Sequence, residues 1–337
     1  GAYTRLMDAG LGCPDWPGCY GHMVLPQNQQ ALDEAGQHFK VQTIEPRKAW
    51  TEMLHRYAAG TLGLLILVIA GLALKLRRLC QAPLILPLVL PLLVVFQALL
   101  GMWTVTLKLL PLVVMSHLLG GMLIFALLLC FRFQLSVQPS LEIPLSFQWR
   151  WAAIMGLVLL FCQIALGGWV SANYAGIACV GFPRCNGQWL PTLHMAQGFY
   201  LLSPVGANYQ GGMLDIEARV TIQFIHRLGA FVVWTYLFLF AMTILRKFQS
   251  KFVAQGSNLQ KNSERLPPGK QGNRARLRGA KIQVLAIALL PLLFLQFILG
   301  IINVTYILPL FVAVAHNGVA ALLLGLQMVL VYFMLGR

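Results

Sequence analysis

Long apolar runs separated by short polar or proline-bearing stretches set the pattern of this chain. Runs near 51–74, 83–107, 110–131, 150–171, 221–245, 282–305 and 309–334 are each long enough to cross a hydrocarbon core of ~30 Å as a helix. Seven membrane spans are therefore predicted, joined by polar stretches of which 1–50, 172–220 and 246–281 are the longest. Composition agrees: of 337 residues 58% are hydrophobic and 10% charged, against roughly 45–50% and 25% in soluble domains.

The formal net charge of +15 raises nucleic acid as a partner, and the placement of the charges excludes it. With residues 1–50 outside and the spans alternating, sixteen Lys and Arg fall on the inner side, among them Lys75, Arg77, Arg78, Arg132, Arg150, ten between Arg246 and Lys281, and Arg337. Eight of the ten acidic residues fall outside. This is the positive-inside asymmetry. Residues 246–281 then read as a basic, flexible cytoplasmic linker whose neighbours are anionic lipid headgroups.

The chain repeats itself. Shifting "GAYTRLMDAGLGCPDWPGCYGHMVLP" by 166 positions lays Cys13 on Cys179, Pro17 on Pro183 and Cys19 on Cys185. Both cysteine pairs lie on the outer side, and five intervening residues with Pro and Gly can close a small ring, so disulfides Cys13–Cys19 and Cys179–Cys185 are expected. Whether either is a structural clip or a redox couple stays open. Cys80, Cys130 and Cys162 read as small apolar packing residues. The second copy of the loop follows a span, the first starts at Gly1, and four spans return a chain to the same side. The expected fold is an all-α integral membrane protein, a tandem duplication of a four-helix bundle with eight spans expected and seven present in this chain. The expected divisions are an N-terminal half-bundle at 1–135, a C-terminal bundle at 136–245 and 282–337, and the linker at 246–281.

Ionisable residues inside a membrane are functional candidates by default. His55, His117, His226 and His316 each lie one to two turns below the outer surface, and the repeat pairs them. His55-Arg56 matches His226-Arg227, and the offset of 199 that carries Gln97 to Gln296 and Gly101 to Gly300 also carries His117 to His316. His22, His38 and His194 fall in outer loops. One histidine on a span is ordinarily an interhelical hydrogen-bonding group. Four at one depth, two per half, supply what bis-axial heme ligation requires. Gly60, Gly63, Gly120, Gly121, Gly229 and Gly318 would let a porphyrin approach the backbones. Arg56 and Arg227 are candidates for the heme propionates or, alternatively, snorkel to headgroups. Where the halves differ, Glu52 stands in the position of Gln223. A carboxylate beside one histidine pair marks the N-terminal half as the site of chemistry, unless Glu52 merely pairs with Arg56 at i,i+4.

The opening motif, Glu-x-x-His-Arg at 52–56 and the four repeat-related histidines resemble the heme A synthase family across essentially the whole chain. The resemblance implies an oxidoreductase that converts heme O to heme A by hydroxylating a ring methyl twice, the geminal diol losing water to a formyl group. It implies His55 and His117 as ligands of the substrate heme, His226 and His316 as ligands of a permanent heme B, and Glu52 as the catalytic group. It also implies a bacterial inner membrane with the His and Cys sites toward the periplasm. Beyond heme O and membrane lipid, the partners compatible with it are a heme O synthase, an electron acceptor and a second copy of the chain. A bis-heme electron carrier of the cytochrome b type explains the histidines but not the Glu52/Gln223 difference. A quinone-linked thiol oxidase explains the cysteines but leaves the histidines idle, and a transporter lacks broken helices or midplane charges.

Overall fold

The computed structural model describes residues 1–26, 28–39, 44–80, 84–136, 146–261 and 270–335. Among them the secondary structure is helical apart from two isolated bridges, Cys19 with His22 and Cys185 with Gln188. The helices are α1 (Ala2–Leu6), α2 (Gln29–His38), α3 (Pro46–Cys80), α4 (Ile85–Thr106), α5 (Pro111–Ser136), α6 (Phe147–Ala172), α7 (Met195–Gly198), α8 (Ile216–Lys261), α9 (Lys270–Thr305) and α10 (Leu310–Leu335). Seven are long and apolar enough to span a membrane: Pro46–Arg77, Ile85–Thr106, Pro111–Leu135, Phe147–Ala172, Ile216–Lys247, Gly279–Thr305 and Leu310–Leu335. The chain is thus an all-α, multi-pass integral membrane protein, as the apolar runs predict. Many leucines and valines along α3, among them Leu64, Leu65, Leu67 and Val68, are exposed, as expected of a helix whose solvent is lipid.

Pro46 and Pro111 open α3 and α5, where a missing N–H costs nothing. Pro91 and Pro291 sit inside α4 and α9, a placement that spanning helices tolerate when neighbours satisfy the freed carbonyls. The expected linker differs from the sequence reading on both flanks. Helix α8 continues to Lys261 and α9 already runs from Lys270, because the flanking Lys, Arg, Gln and Ala residues are good helix formers that extend a span already nucleated in the membrane. Residues 262–269 of that linker, the inner-side Arg337, and 137–145 at the junction of the expected halves lie outside the described residues.

The described chain divides into two compact units. One comprises Gly1–Ile124, Ile164–Arg227 and Leu299–Asn317, and holds both cysteine loops and all four paired histidines. The other comprises Phe125–Gln163, Leu228–Ile298 and Gly318–Arg337. Its core is built on Leu237, Ile244, Ile282, Leu289, Leu323, Leu324 and Phe333, all nearly inaccessible. Gln327, fully buried, donates from Nε2 to the Ala153 carbonyl at 2.9 Å, and Tyr236 donates its hydroxyl to the Ala152 carbonyl at 2.8 Å.

In the first unit the repeat is written into the backbone. Leu109 and Leu308 both take left-handed conformations (φ 63° and 55°), and each closes the preceding helix with an N–H bond, to Thr104 and Asn303 respectively, at 2.8 Å. A left-handed leucine is unfavourable, and both are held by packing. A Cβ on Gly10 would lie 3.0 Å from Leu109 Cδ2, and one on Gly176 2.7 Å from Leu308 Cδ1, so a larger residue at either position would have to displace the leucine.

The two loop copies also touch at equivalent positions. Arg5 donates to the carbonyl of Ser171 at 2.6 Å, and the Tyr174 hydroxyl donates to Asp8 at 2.9 Å, each bond joining residues 166 apart, the period of the repeat. A residue that contacts its own repeat equivalent lies on a local two-fold axis, as in an isologous interface. Burial pushes the Tyr174 hydroxyl above the usual phenol range, which keeps it a donor at neutral pH. Tyr174→Phe should lower stability by about 1 kcal/mol through the lost hydrogen bond, read as a lower thermal unfolding midpoint in detergent; an unchanged midpoint would show that the Tyr174–Asp8 bond contributes nothing.

Candidate functional site

Both expected disulfides are present, with Cα separations of 4.8 Å for Cys13–Cys19 and 5.0 Å for Cys179–Cys185. Cys130 is buried and Cys162 exposed on their spans, and neither is bridged. Each disulfide is seated on the N-terminal part of a span by equivalent residues. In the first half Cys13, Cys19, Ala49 and Met53 share one apolar cluster; in the second Cys179, Cys185, Val220 and Phe224 share another. The first loop runs so close to α3 that a Cβ on Gly12 would lie 2.7 Å from the Lys48 carbonyl carbon.

An irregular loop folded against a bundle leaves carbonyl oxygens without partners, and one arginine per half supplies donors to them. Arg56 donates from Nη1 to the carbonyls of Asp15 at 2.9 Å and Pro17 at 3.2 Å, and also to that of Gly18. Arg227 donates from Nη1 to Gly181 at 2.8 Å and to Arg184 at 3.4 Å, and from Nη2 to Cys179. The planar fork of five donors makes arginine suited to this work. Both guanidinium groups therefore address loop carbonyls, and any bond to a propionate would be shared with these.

Beside Arg56 the halves diverge. Glu52, buried at 5% exposure, accepts the Cys13 N–H at 2.9 Å on one oxygen and Arg56 Nη2 at 2.5 Å on the other. The i,i+4 pair foreseen as an alternative role is thus present, and it holds the carboxylate in place one turn from His55. Gln223, in the matching position, is equally buried, and its Oε1 has no hydrogen-bond partner among the described residues.

The histidines are brought together in pairs. His55 on α3 and His117 on α5 lie with ring centroids 6.3 Å apart and planes at 86°. Two imidazoles on a single iron, each with a metal–nitrogen bond of about 2 Å, would have centres roughly 6 Å apart, so the separation of this pair is compatible with both rings holding one heme iron. His117 Nδ1 is buried without a hydrogen-bond partner, and Gln97 Nε2 ties the His117 carbonyl at 2.5 Å. In the second half His226 on α8 and His316 on α10 lie within electrostatic reach of each other. A cavity of about 400 Å³ opens beside His55 and is lined by Gly1, Tyr3, Thr4, Thr51, Leu54 and His55. His22 and His194 lie in outer loops and His38 ends α2, away from these pairs.

The profile of the cytochrome oxidase assembly protein family, COX15-CtaA, matches residues 1–259 and 272–328. The chain belongs to this family. It is similar to the heme A synthase of Shewanella oneidensis, with 43% identity over 335 residues that cover 99% of this chain and 91% of the relative. Similarity to the heme A synthases of Neorickettsia sennetsu (26% identity, 97% of this chain and 91% of the relative) and Wolbachia pipientis wMel (25%, 96% and 85%) is also nearly full length.

Within this family member the glycines that matter are not those chosen by proximity in sequence. A Cβ on Gly60 or Gly318 would meet nothing within 4 Å, Gly63 faces Val94, and Gly120 and Gly121 face Gln97. The glycines that touch imidazoles are Gly101, Gly167 and Gly300, on helices other than those carrying the histidines, and Gly1, where a Cβ would lie 3.4 Å from His55 Cε1. Their signal was available in the repeat, which pairs Gly101 with Gly300 at the offset that pairs the histidines. Replacing Cys179 and Cys185 together by Ser should lower stability by about 2 kcal/mol, the chain-entropy value for so short a loop, with lower heme content because the loop rests on the span bearing His226. Unfolding midpoint and pyridine hemochrome content measured on the same preparation check it; wild-type values for both would show an idle bridge.

Proposed function

We propose that the chain oxidises the ring methyl of heme O to the formyl group of heme A, as an oxidoreductase working in two unequal halves. The observation that carries this is one chemical difference, Glu52 against Gln223, between sites related by the repeat. Each half places a histidine pair under a disulfide loop clamped by arginine, and only the N-terminal one, at 1–135, adds a buried carboxylate. Heme O is the substrate there, held between His55 and His117, whose centroid separation of 6.3 Å suits shared ligation. His226 and His316, in the C-terminal bundle of 136–245 and 282–337, hold a permanent heme B, which supplies one-electron redox chemistry when bound. The family membership and the full-length similarity to named heme A synthases support the reaction.

Glu52 is the group poised to act on protons released as the methyl is oxidised. Its ion pair with Arg56 and its bond from the Cys13 N–H keep it oriented at the aqueous boundary. Gln223 can orient but cannot take a proton, which fits a half that only holds a cofactor. Arg56 and Arg227, one residue from the ligands, are the propionate candidates, sharing donors with the loop carbonyls. The charge asymmetry supports an orientation with the pairs and loops toward the outer face of a bacterial inner membrane.

The purified chain should show a heme Soret band and convert added heme O. His226→Ala or His316→Ala should remove resident heme B. His55→Ala or His117→Ala should leave it in place and abolish conversion. Glu52→Gln should retain heme B and lower conversion by at least about 100-fold, the ordinary scale of a lost general base. Wild-type turnover in Glu52→Gln would reduce Glu52 to an ion-pair partner, and absence of any Soret band would overturn the heme reading as a whole.

A further inference from the structure

Three of the four paired imidazoles present Cε1 to a glycine inside a neighbouring span, and the fourth, His55, presents it to Gly1. A Cβ at Gly101 on α4 would stand 3.2 Å from His117 Cε1, one at Gly167 on α6 3.1 Å from His226 Cε1, and one at Gly300 on α9 3.4 Å from His316 Cε1. In each case the nearest atom is the ring carbon between the two nitrogens. Glycine in a helix interior is less stable than alanine, because it has more backbone freedom to lose. Here it occupies the place where a methyl group would press on a ligand's ring.

These contacts differ from ordinary helix packing. The next residue along α6, Gly168, faces Met115 Cγ at 3.1 Å and Leu118 Cδ2 at 3.2 Å, flexible side chains that can give way by changing rotamer. An imidazole is rigid. Pushed at Cε1, it can yield only by turning about its own side-chain bonds, and that rotates the nitrogens on either side of the pressed carbon. Gly71 on α3, by contrast, faces nothing within 4 Å.

We propose that Gly101, Gly167 and Gly300 are positioning residues, side-chain-free seats that fix the rotation of His117, His226 and His316 for ligation of an iron porphyrin. The proposal rests on the heme reading above and deepens it by assigning what aims the ligands. Outer-shell groups that orient a metal-bound histidine are commonly its hydrogen-bond partners; here the orienting element is steric and comes from a different helix.

The test uses the full chain carrying Gly167→Ala, Gly300→Ala or Gly71→Ala, and Gly167→Ala combined with His226→Ala. Thermal unfolding is measured without heme, and the low-spin ferric EPR spectrum and heme dissociation rate on the loaded protein. Gly167→Ala should lower the unfolding midpoint while His226 is present and raise it in the His226→Ala background, where the methyl meets no ring and alanine's helix preference prevails. In loaded protein, Gly167→Ala and Gly300→Ala should shift the g values and speed heme loss by about tenfold, the scale of a disturbed outer shell. Gly71→Ala should raise the midpoint and leave the g values alone.

Equal destabilisation by Gly167→Ala with and without the His226 ring would overturn the proposal, as would unchanged g values and heme loss in Gly167→Ala and Gly300→Ala. If Gly167→Ala does not accumulate, Gly300→Ala compared with and without His316→Ala makes the same decision across a looser contact. A wild-type chain that binds no heme overturns the heme reading instead, and the sign change in heme-free protein still decides whether the glycines are seats for the rings.

Discussion

Carbonyl oxygens in an irregular loop must find donors when the loop folds onto a helical bundle, and two arginines meet that need. Arg56 and Arg227 each reach from the first turns of a span into a Cys-x5-Cys loop and gather its carbonyls. The disulfide closes the ring, the guanidinium fills it from below, and a small apolar cluster joins the ring to the span. Because each arginine directly follows a histidine, the same clamp that holds the loop fixes the helix segment presenting that histidine. Loop, span and histidine are thereby one mechanical piece in each half, and loss of any member disturbs the others.

Duplication gives this piece twice, and contacts between repeat equivalents lock the two copies of the loop to each other. Arg5 with Ser171 and Asp8 with Tyr174 are polar contacts at an axis, where side chains of different type replace what a true homodimer would fill with identical residues. Gene duplication permits that substitution, since each copy drifts separately while the interface geometry persists. The same freedom places a carboxylate in one half and an amide in the other. Glu52 costs desolvation, which Arg56 and the Cys13 N–H offset. Gln223 avoids the charge but leaves an oxygen without a partner among the described residues. The asymmetry is small in atoms and large in chemistry, because only one of the two groups can exchange a proton.

Periodicity and composition are local quantities, and the features that depend on them were legible in the chain. The seven spans follow from uninterrupted apolar length, the disulfides from short spacing with Pro and Gly between, and the equivalence of the histidines from fixed offsets. The helical flanks of the linker were not legible, for a related reason. Its polar composition speaks against a membrane environment, yet says little about helix, and helices begun in the bilayer propagate through Lys, Gln and Ala without further nucleation.

What the chain could not disclose is which side chains meet across helices. Arg56 and Arg227 read as partners for propionates or headgroups, since sequence shows their depth and not their direction; folding turns them to carbonyls some forty residues earlier in the chain. The glycines beside the histidines in sequence proved to face other residues or open space, whereas those against the imidazoles come from neighbouring spans, because helix-to-helix contact is set by rotation and crossing of whole helices. Sequence alone therefore determined the membrane-spanning helices, the duplication and the identity of the candidate ligands. Tertiary structure decided their separation, the burial of Glu52 between an arginine and a backbone amide, and the glycine behind each ring, since these depend on distances between segments that no local pattern encodes.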